Sequence, residues 1–233
     1  MGEERDRRAA VIRAIYIIVE GQTEGEFVKS LIRPYFANKH KFYDVQPILM
    51  TTSSGHRGGS VSFARYQNNI ALKLKERSGA LVTSLIDFYR LSSDFPKYEK
   101  ARRYIQAEDR VAFLERACSE VIISERFIPY IQLHEFEALL FTSLSGFEYL
   151  GALSDSQKEA VQAIVNQFPN PELINEGQQT APSKRLAAII PGYQKVLYGN
   201  MIALENGFQT ILDKCPRFGA WIKLLEVKVQ RNG

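Results

Sequence analysis

The chain has 233 residues, of which 45% are hydrophobic and 24% charged, a composition typical of a globular protein with a full core. A formal net charge of +4 is compatible with a nucleic-acid partner without requiring one. Two distant cysteines exclude a CxxC zinc site and a disulfide framework. The N-terminus lacks the apolar region of a signal peptide, and no stretch is long enough to span a membrane. We therefore expect a cytoplasmic protein without a membrane partner.

The first predicted strand is the apolar run I-Y-I-I-V at residues 15–19, which stops at Glu20, turns at Gly21 and soon reaches Glu24. Such a run is typical of a strand buried on both faces of a parallel sheet, whose ligands bind at the carboxyl ends of the strands. Two carboxylates this close repel each other unless a cation lies between them, and Mg²⁺ prefers oxygen ligands. Alternatively, Glu24 and Glu26 are ordinary acidic residues in the first turn of a helix.

A glycine-rich loop separates the next two predicted elements. A helix is expected over 24–36, and a second strand over 44–50, where Pro47 indicates an edge position or a bulge. The loop T-T-S-S-G-H-R-G-G-S at residues 51–60 follows that strand. Its glycines would let backbone N–H groups approach a phosphate, with Arg57 adding positive charge. The alternative is a flexible surface loop.

Two further apolar strands are predicted to end in acidic residues. The run A-L-V-T-S-L-I at 80–86 precedes Asp87, and F-I-P-Y-I-Q-L at 127–133 leads through a histidine to Glu135 and Glu137. Helical patterns precede these strands at residues 60–77 and 97–125. The sequence therefore places carboxylates after three of four predicted strands.

Carboxylates at the ends of neighbouring buried strands indicate a metal site. Ends of parallel strands share one edge of the sheet, and desolvated like charges are costly in a core without a function. We interpret Glu20, Asp87 and Glu135 or Glu137 as metal ligands. Glu24 is predicted to be a ligand or a general base. His134 either orients a neighbour or is a hydrogen-bonded structural residue.

The last third of the sequence is predicted to be helical. Helices are expected over 154–167, from Pro182 onward, over 200–213 and in the closing run C-P-R-F-G-A-W-I-K-L-L. Four apolar residues of the last helix are expected to dock on the core: Phe218, Trp221, Leu224 and Leu225. Lys184 and Arg185 would crowd a helix N-terminus, where cations are unfavourable, so they either contact an anion such as a phosphate or face solvent.

The motif V-E-G-Q-T-E, with a later strand ending in L-I-D, resembles the TOPRIM domain of topoisomerases, DnaG-type primases, small nucleases and the overcoming-lysogenization-defect (OLD) nucleases. The resemblance implies that Glu20 and Asp87 hold Mg²⁺ or Mn²⁺ for chemistry on phosphodiesters. The sequence departs from the D-x-D pattern, because Tyr89 stands at the second aspartate position. The OLD-like branch tolerates this departure, since its ligands include a second glutamate, here Glu24, and acids on a later strand.

A fuller pattern, which adds H-E-F-E-A-L-L-F, T-A-P-S-K-R-L and C-P-R-F-x-A-W, resembles a bacterial family of unknown function related to TOPRIM. It covers nearly the whole chain. The resemblance implies association with a partner ATPase in a phage-defence or mobile-element setting.

These observations predict an α/β TOPRIM-like domain over residues 11–145, with a mostly parallel sheet of about four strands flanked by helices. A helical C-terminal extension over 146–233 is expected to pack on it. The predicted function is that of a metal-dependent phosphodiester hydrolase, a nuclease acting on DNA or RNA, with Asp87 and Glu24 as catalytic residues. Two alternatives stay open: a non-catalytic module that binds an ATPase or nucleic acid, and a phosphatase acting on a small phosphate ester.

Overall fold

A computed structural model describes residues 12–50, 60–150, 153–174, 177 and 179–230. Arg57 and nearly all of the predicted glycine-rich loop lie outside the described residues. Every strand pair in the described sheet is parallel, with the order β2-β1-β3-β4 and with β5 also paired to β3. The strands are β1 Ala14–Val19, β2 Val45–Leu49, β3 Ala80–Asp87, β4 Phe127–Ile128 and β5 Ile131–Gln132. The predicted α/β class with a parallel sheet is confirmed.

Helices surround the sheet and make up the C-terminal region. They are α1 Gln22–Phe27, α2 Arg33–His40, α3 Phe63–Glu76, α4 Tyr98–Ala101, α5 Ala107–Val121, α6 Ser145–Glu148, α7 Asp155–Gln167, α8 Pro182–Ile189, α9 Lys195–Asn206, α10 Phe208–Lys214 and α11 Pro216–Gln230. A π-helical turn, Val28–Ile32, joins α1 to α2, and 3₁₀ turns span Phe88–Arg90, Phe136–Thr142 and Pro171–Leu173. None of the helices in the described ranges is both long and apolar enough to cross a membrane.

Three predicted elements are interrupted in the structure. The expected strand at 127–133 is divided into β4 and β5 around Pro129, which has no N–H to donate to the ladder. The expected helix at 200–213 begins earlier, at Lys195, and breaks at Gly207, whose φ of +80° is left-handed. The expected helix at 97–125 is divided into α4 and α5. In the first two, proline and glycine outweigh an apolar pattern that continues across them.

The core lies on both faces of the sheet because β1 and β3 are buried along their whole length. Alternate residues of β1 belong to different apolar clusters: Ile15 and Ile17 pack with the C-terminal helices, whereas Tyr16 and Ile18 pack with α3 and α5. Edge strand β2 is only partly buried, and Pro47 lies in it as predicted. Cys118 and Cys215 are buried free thiols, which confirms that they form no disulfide.

The last helix, α11, docks on the sheet through most of the predicted residues. Phe218, Trp221 and Leu225 are buried, and Trp221 donates a 2.9 Å hydrogen bond from its indole nitrogen to Thr83 Oγ1 on β3. The prediction for Leu224 was wrong, because its side chain is 44% exposed. The buried side of α11 runs through Phe218, Trp221, Ile222 and Leu225 at helical spacing, and Leu224 falls outside it.

A buried carboxylate holds the N-terminus of α11. Glu172 accepts hydrogen bonds from the backbone N–H of Arg217 at 2.8 Å and of Phe218 at 3.2 Å. These are among the first N–H groups of the helix, which have no partner within it, and Pro216 occupies the first position, where no N–H is needed. Glu172 therefore anchors the C-terminal helix to the rest of the fold.

Replacing Glu172 by Ala is expected to lower the free energy of unfolding by about 1–3 kcal/mol, because buried N–H groups lose their acceptor. The measurement is urea denaturation followed by circular dichroism. The matched control is Glu159→Ala, at an exposed position on α7, which should change stability by less than about 0.5 kcal/mol. Equal losses in the two variants would contradict the anchoring role.

Candidate metal centre

The pairing of the two central strands explains why Glu20 lies next to Asp87. Val19 pairs with Leu85, so the carboxyl ends of β1 and β3 are neighbours. Glu20 Oε1 accepts a 2.7 Å hydrogen bond from the backbone N–H of Asp87. Asp87 Oδ1 in turn accepts a 2.8 Å bond from the N–H of Phe136. The structure thus brings the first two predicted ligands together and ties them to the 3₁₀ turn that carries Glu137.

Glu24 closes the turn between β1 and α1. Its Oε2 accepts a 3.1 Å hydrogen bond from the backbone N–H of Gly21, the residue that precedes the helix. Glycine has no side chain to cap the helix, so the carboxylate of Glu24 supplies the local contact instead. Glu24 therefore lies in the first turn of α1, as the helix-start alternative expects. Its other carboxylate oxygen takes no part in the bond to Gly21.

Glu137 is paired with a lysine that the sequence did not point to. Lys195 Nζ lies 2.5 Å from Glu137 Oε1, and the glutamate side chain is 4% exposed against 46% for the lysine. Lys195 is the first residue of α9 and lines an open groove of about 610 Å³ that Glu26 of α1 also lines. One acid of the centre thus faces a partly exposed cation at the surface.

Glu135 is engaged through both of its oxygens. It accepts from the backbone N–H of Ser183 at 2.9 Å and from the Ser183 hydroxyl at 3.0 Å. Ser183 is the second residue of α8, so Glu135 caps that helix in the way that Glu172 caps α11. The sequence left open whether Glu135 or Glu137 is a metal ligand, and these contacts make Glu135 the less available of the two.

Lys184 and Arg185, the predicted phosphate-binding residues, lie in the first turn of α8. The anion at this helix N-terminus is Glu135 of the same chain. Arg185 Nε donates to the carbonyl of Thr180 at 2.8 Å, and its guanidinium lies 5.4 Å from the centre of the Phe168 ring. Lys184 is exposed, as the solvent-facing alternative has it. Phosphate binding by Lys184 and Arg185 stays a prediction.

Burial and the charges of neighbouring acids disfavour the ionised form of the buried acids. Burial, together with the charge of Glu24, raises the pKa of Glu20 to about 8, although the Asp87 N–H and Arg90 oppose this. Burial and the charges of Glu20 and Glu24 raise the pKa of Asp87 well above its usual range. The pKa of Glu24 is also raised, first by burial and then by Glu137. The centre therefore retains protons at neutral pH.

Lys195 compensates part of this charge. Burial favours its neutral form, but the carboxylates of Glu137, Glu135 and Asp87 outweigh burial and raise its pKa above the usual value. The lysine is therefore charged at neutral pH. Lys195 and Arg90 both favour ionised acids, but the pKa values of Glu20, Glu24 and Asp87 stay raised, so further positive charge would be favourable here.

The donor chemistry fits a hard divalent ion. The bonds to backbone N–H groups use one oxygen each of Glu20, Glu24 and Asp87, and carboxylate oxygens suit Mg²⁺ and Mn²⁺. Among the described residues, however, no three His, Cys, Asp or Glu side chains already converge as a ready ligand set. The present contacts of Glu135 and Glu137 give a physical reason, since Ser183 and Lys195 hold them. Ion binding would require side-chain rearrangement.

Tyr89 occupies the second aspartate position of the D-x-D pattern and is 53% exposed. Its backbone N–H donates at 3.1 Å to the carbonyl of His134, which adopts a left-handed φ of +58°. Glu137 approaches the acids from the following 3₁₀ turn. The sequence did not indicate Ser183 and Lys195 as partners of the acids, because both are far from them in the chain. It also gave no role to Arg90, although Arg90 follows Asp87 by only three positions.

No curated protein matches the chain. The chain is similar to the C-terminal region of the OLD protein of Xanthomonas campestris pv. campestris in structures phased with mercury, platinum and iodine. The identities are 14%, 18% and 15%, with 91%, 92% and 91% of this chain and 97%, 96% and 97% of those chains covered, at TM-scores of 0.39, 0.39 and 0.40. The profile of a domain of unknown function, DUF4276, matches residues 19–226, and the protein therefore belongs to the DUF4276 family.

Proposed function

We propose that the protein is a Mg²⁺- or Mn²⁺-dependent phosphodiester hydrolase of TOPRIM-like type that acts as a nuclease on DNA or RNA. The observation that carries the proposal is the group of buried acids at the ends of β1 and β3, where burial and then the charges of neighbouring acids raise the pKa values of Glu20 and Asp87. Buried acids with strongly raised pKa values are typical of functional sites. A divalent ion would remove the repulsion that the fold leaves in place.

The residues divide into distinct roles. Glu20 and Asp87 would hold the ion, with Glu137 as a further ligand once Lys195 releases it. Glu24 would be a ligand or would take a proton from the attacking water, a role that a raised pKa favours near neutral pH. A bound ion lowers the pKa of water and stabilises the leaving oxygen. Lys195, when free of Glu137, is placed to contact a substrate phosphate.

The order and direction of the strands support the TOPRIM-like assignment. Glu20 follows β1 and Asp87 follows β3, and these strands are central neighbours in a parallel sheet. Tyr89 has no carboxylate, so the second aspartate has no direct equivalent. We propose that Glu137 supplies the missing oxygen ligand from the 3₁₀ turn.

A non-catalytic binding module is the second candidate. The observation that favours it is the ion pair between Lys195 and Glu137, because a lysine can serve as a permanent counter-ion in place of a metal. Binding of a partner ATPase or of nucleic acid would then be the function. The two candidates differ in whether the acids bind a divalent ion.

Wild-type protein is expected to bind Mn²⁺ in isothermal titration calorimetry, and Asp87→Asn is expected to weaken binding by about 10-fold or more. Metal-dependent hydrolysis of bis(4-nitrophenyl) phosphate and of an oligonucleotide should be lost in the same variant. Asparagine keeps an oxygen that can accept from the Phe136 N–H, so the fold should be preserved.

The matched control is Asp213→Asn, at an exposed position on α10, which should bind Mn²⁺ like the wild type. Wild-type protein that binds no Mn²⁺ at millimolar concentration would support the non-catalytic module. Unchanged hydrolysis in Asp87→Asn would reject the role of Asp87. Hydrolysis of the small diester with no cleavage of any oligonucleotide would exclude a nuclease and leave a hydrolase of small phosphate esters.

Mn²⁺ affinity is expected to rise with pH up to about 8. The ion needs ionised carboxylates, whereas Glu20 has a pKa of about 8 and keeps its proton below that value. Each displaced proton contributes up to about tenfold in affinity per pH unit. Titrations between pH 6 and pH 8, in two buffers of different ionisation enthalpy, measure both the affinity and the number of protons released.

The same raised pKa predicts how the stability of the metal-free protein depends on pH. The folded state binds more protons than the unfolded state between the ordinary pKa of 4.5 and about 8, so the free energy of unfolding should fall as the pH rises through this window. Glu20→Gln should flatten both dependences. A metal affinity that does not change with pH, without proton release, would contradict the raised pKa of Glu20.

A further inference from the structure

A group of exposed cations lies in the connection between α4 and α5. Residues 100–104, with the sequence K-A-R-R-Y, are called here the basic turn. Lys100, Arg102 and Arg103 are exposed, and in the part of the chain that the structure describes none of the three makes an ion pair with a carboxylate. Their charges are therefore available to a partner outside the chain.

The basic turn follows the acidic end of β3 in the chain and is linked to it through one aromatic contact. Phe88, the residue after Asp87, stacks on Tyr98 of α4 with ring centres 6.2 Å apart and an interplanar angle of 16°. Arg102 follows one helical turn later, and its N–H donates to the carbonyl of Tyr98 at 3.0 Å. The contact thus ties α4, in which the basic turn begins, to the residue next to Asp87.

Tyr89 adds an exposed aromatic ring beside the centre. It is 53% exposed although its neighbours Asp87 and Phe88 are 7% and 6% exposed. The 3.1 Å bond from its N–H to the carbonyl of His134 fixes its backbone. Exposed aromatic rings next to cationic surfaces are typical of single-strand binding sites, where bases stack on the ring while the cations contact the phosphates.

The charge balance of this region favours an anionic partner. Residues 97–104 contain Lys97, the three cations of the basic turn and one acid, Glu99, which gives a net charge of +3. Lys97 is paired with Glu120. Glu108 and Asp109 follow in the first turn of α5, where the helix dipole favours acidic residues. The unpaired positive charge is therefore concentrated on the basic turn.

We propose that the basic turn and Tyr89 bind a single strand of nucleic acid, with Arg102 and Arg103 on the phosphates and the Tyr89 ring on an unstacked base. This inference rests on the proposed function, since the bound strand would bring a phosphodiester to the acidic centre. A duplex, whose bases are stacked inside, offers Tyr89 no free base and binds more weakly. The surface makes no distinction between DNA and RNA, because phosphates and base faces are common to both.

The test is fluorescence anisotropy with labelled single strands of about 20 nucleotides, oligo-dT and oligo-U, and with a duplex of the same length, in EDTA to prevent cleavage. Wild-type protein should bind the single strands more tightly than the duplex. Arg102→Gln/Arg103→Gln should reduce the slope of log affinity against log salt concentration by about 1.4, because each phosphate contact contributes about 0.7 for single strands. Tyr89→Ala should weaken binding by about 5- to 100-fold, whereas Tyr89→Phe, which keeps the ring, should bind like the wild type.

The matched control is Lys75→Gln/Lys223→Gln, which removes the same charge from exposed positions of α3 and α11 and should leave the salt slope unchanged. Equal effects of the two double variants, equally tight binding of the duplex, or absence of binding at low salt would each overturn the inference. None of those results bears on Mn²⁺ binding by Glu20 and Asp87, which calorimetry measures independently. Conversely, oligonucleotide binding without Mn²⁺ binding would support the basic turn and reject the hydrolase.

Discussion

Burial of several acids at the carboxyl edge of the sheet is the feature on which the proposed metal site rests. Glu20 and Asp87 lie at the ends of neighbouring strands, and burial raises both pKa values, with a further increase from the charge of Glu24 on both and of Glu20 on Asp87. Backbone N–H groups, Arg90 and Lys195 oppose this effect. A fold that gained nothing from these acids would be more stable with neutral residues in their place. The proposed cation would offset this cost.

The same carboxylates also hold the fold together. Glu20 bonds to the backbone of Asp87, Asp87 bonds to that of Phe136, and Glu135 caps α8 through Ser183. These bonds connect β1, β3, the 3₁₀ turn and the C-terminal region in series. An ion that moved one of these carboxylates would therefore disturb the hydrogen bonds of the others. The helical C-terminal region belongs to this network, because α8 and α9 supply Ser183 and Lys195.

The parts of the site that the sequence predicted are those encoded by short local patterns. Glu20 and Asp87 follow apolar strands, and strands of that kind pair in parallel, so their proximity could be inferred. Lys195 could not be inferred, because its pairing with Glu137 depends on how α9 packs against the 3₁₀ turn that carries Glu137. Glu135 and Glu137 were indistinguishable in the sequence, and only the position of Ser183 separates them. Leu224 was misassigned because it falls outside the helical spacing of the buried residues Phe218, Trp221, Ile222 and Leu225.

Anomalous diffraction from crystals soaked in Mn²⁺, recorded at the manganese edge, would locate the proposed ion. We expect a peak bounded by carboxylate oxygens of Glu20 and Asp87, with Glu24 or Glu137 as a further ligand and with Lys195 displaced from Glu137. Crystals of intact protein with no peak at this edge of the sheet, and with the ion pair between Lys195 and Glu137 unchanged, would contradict this expectation.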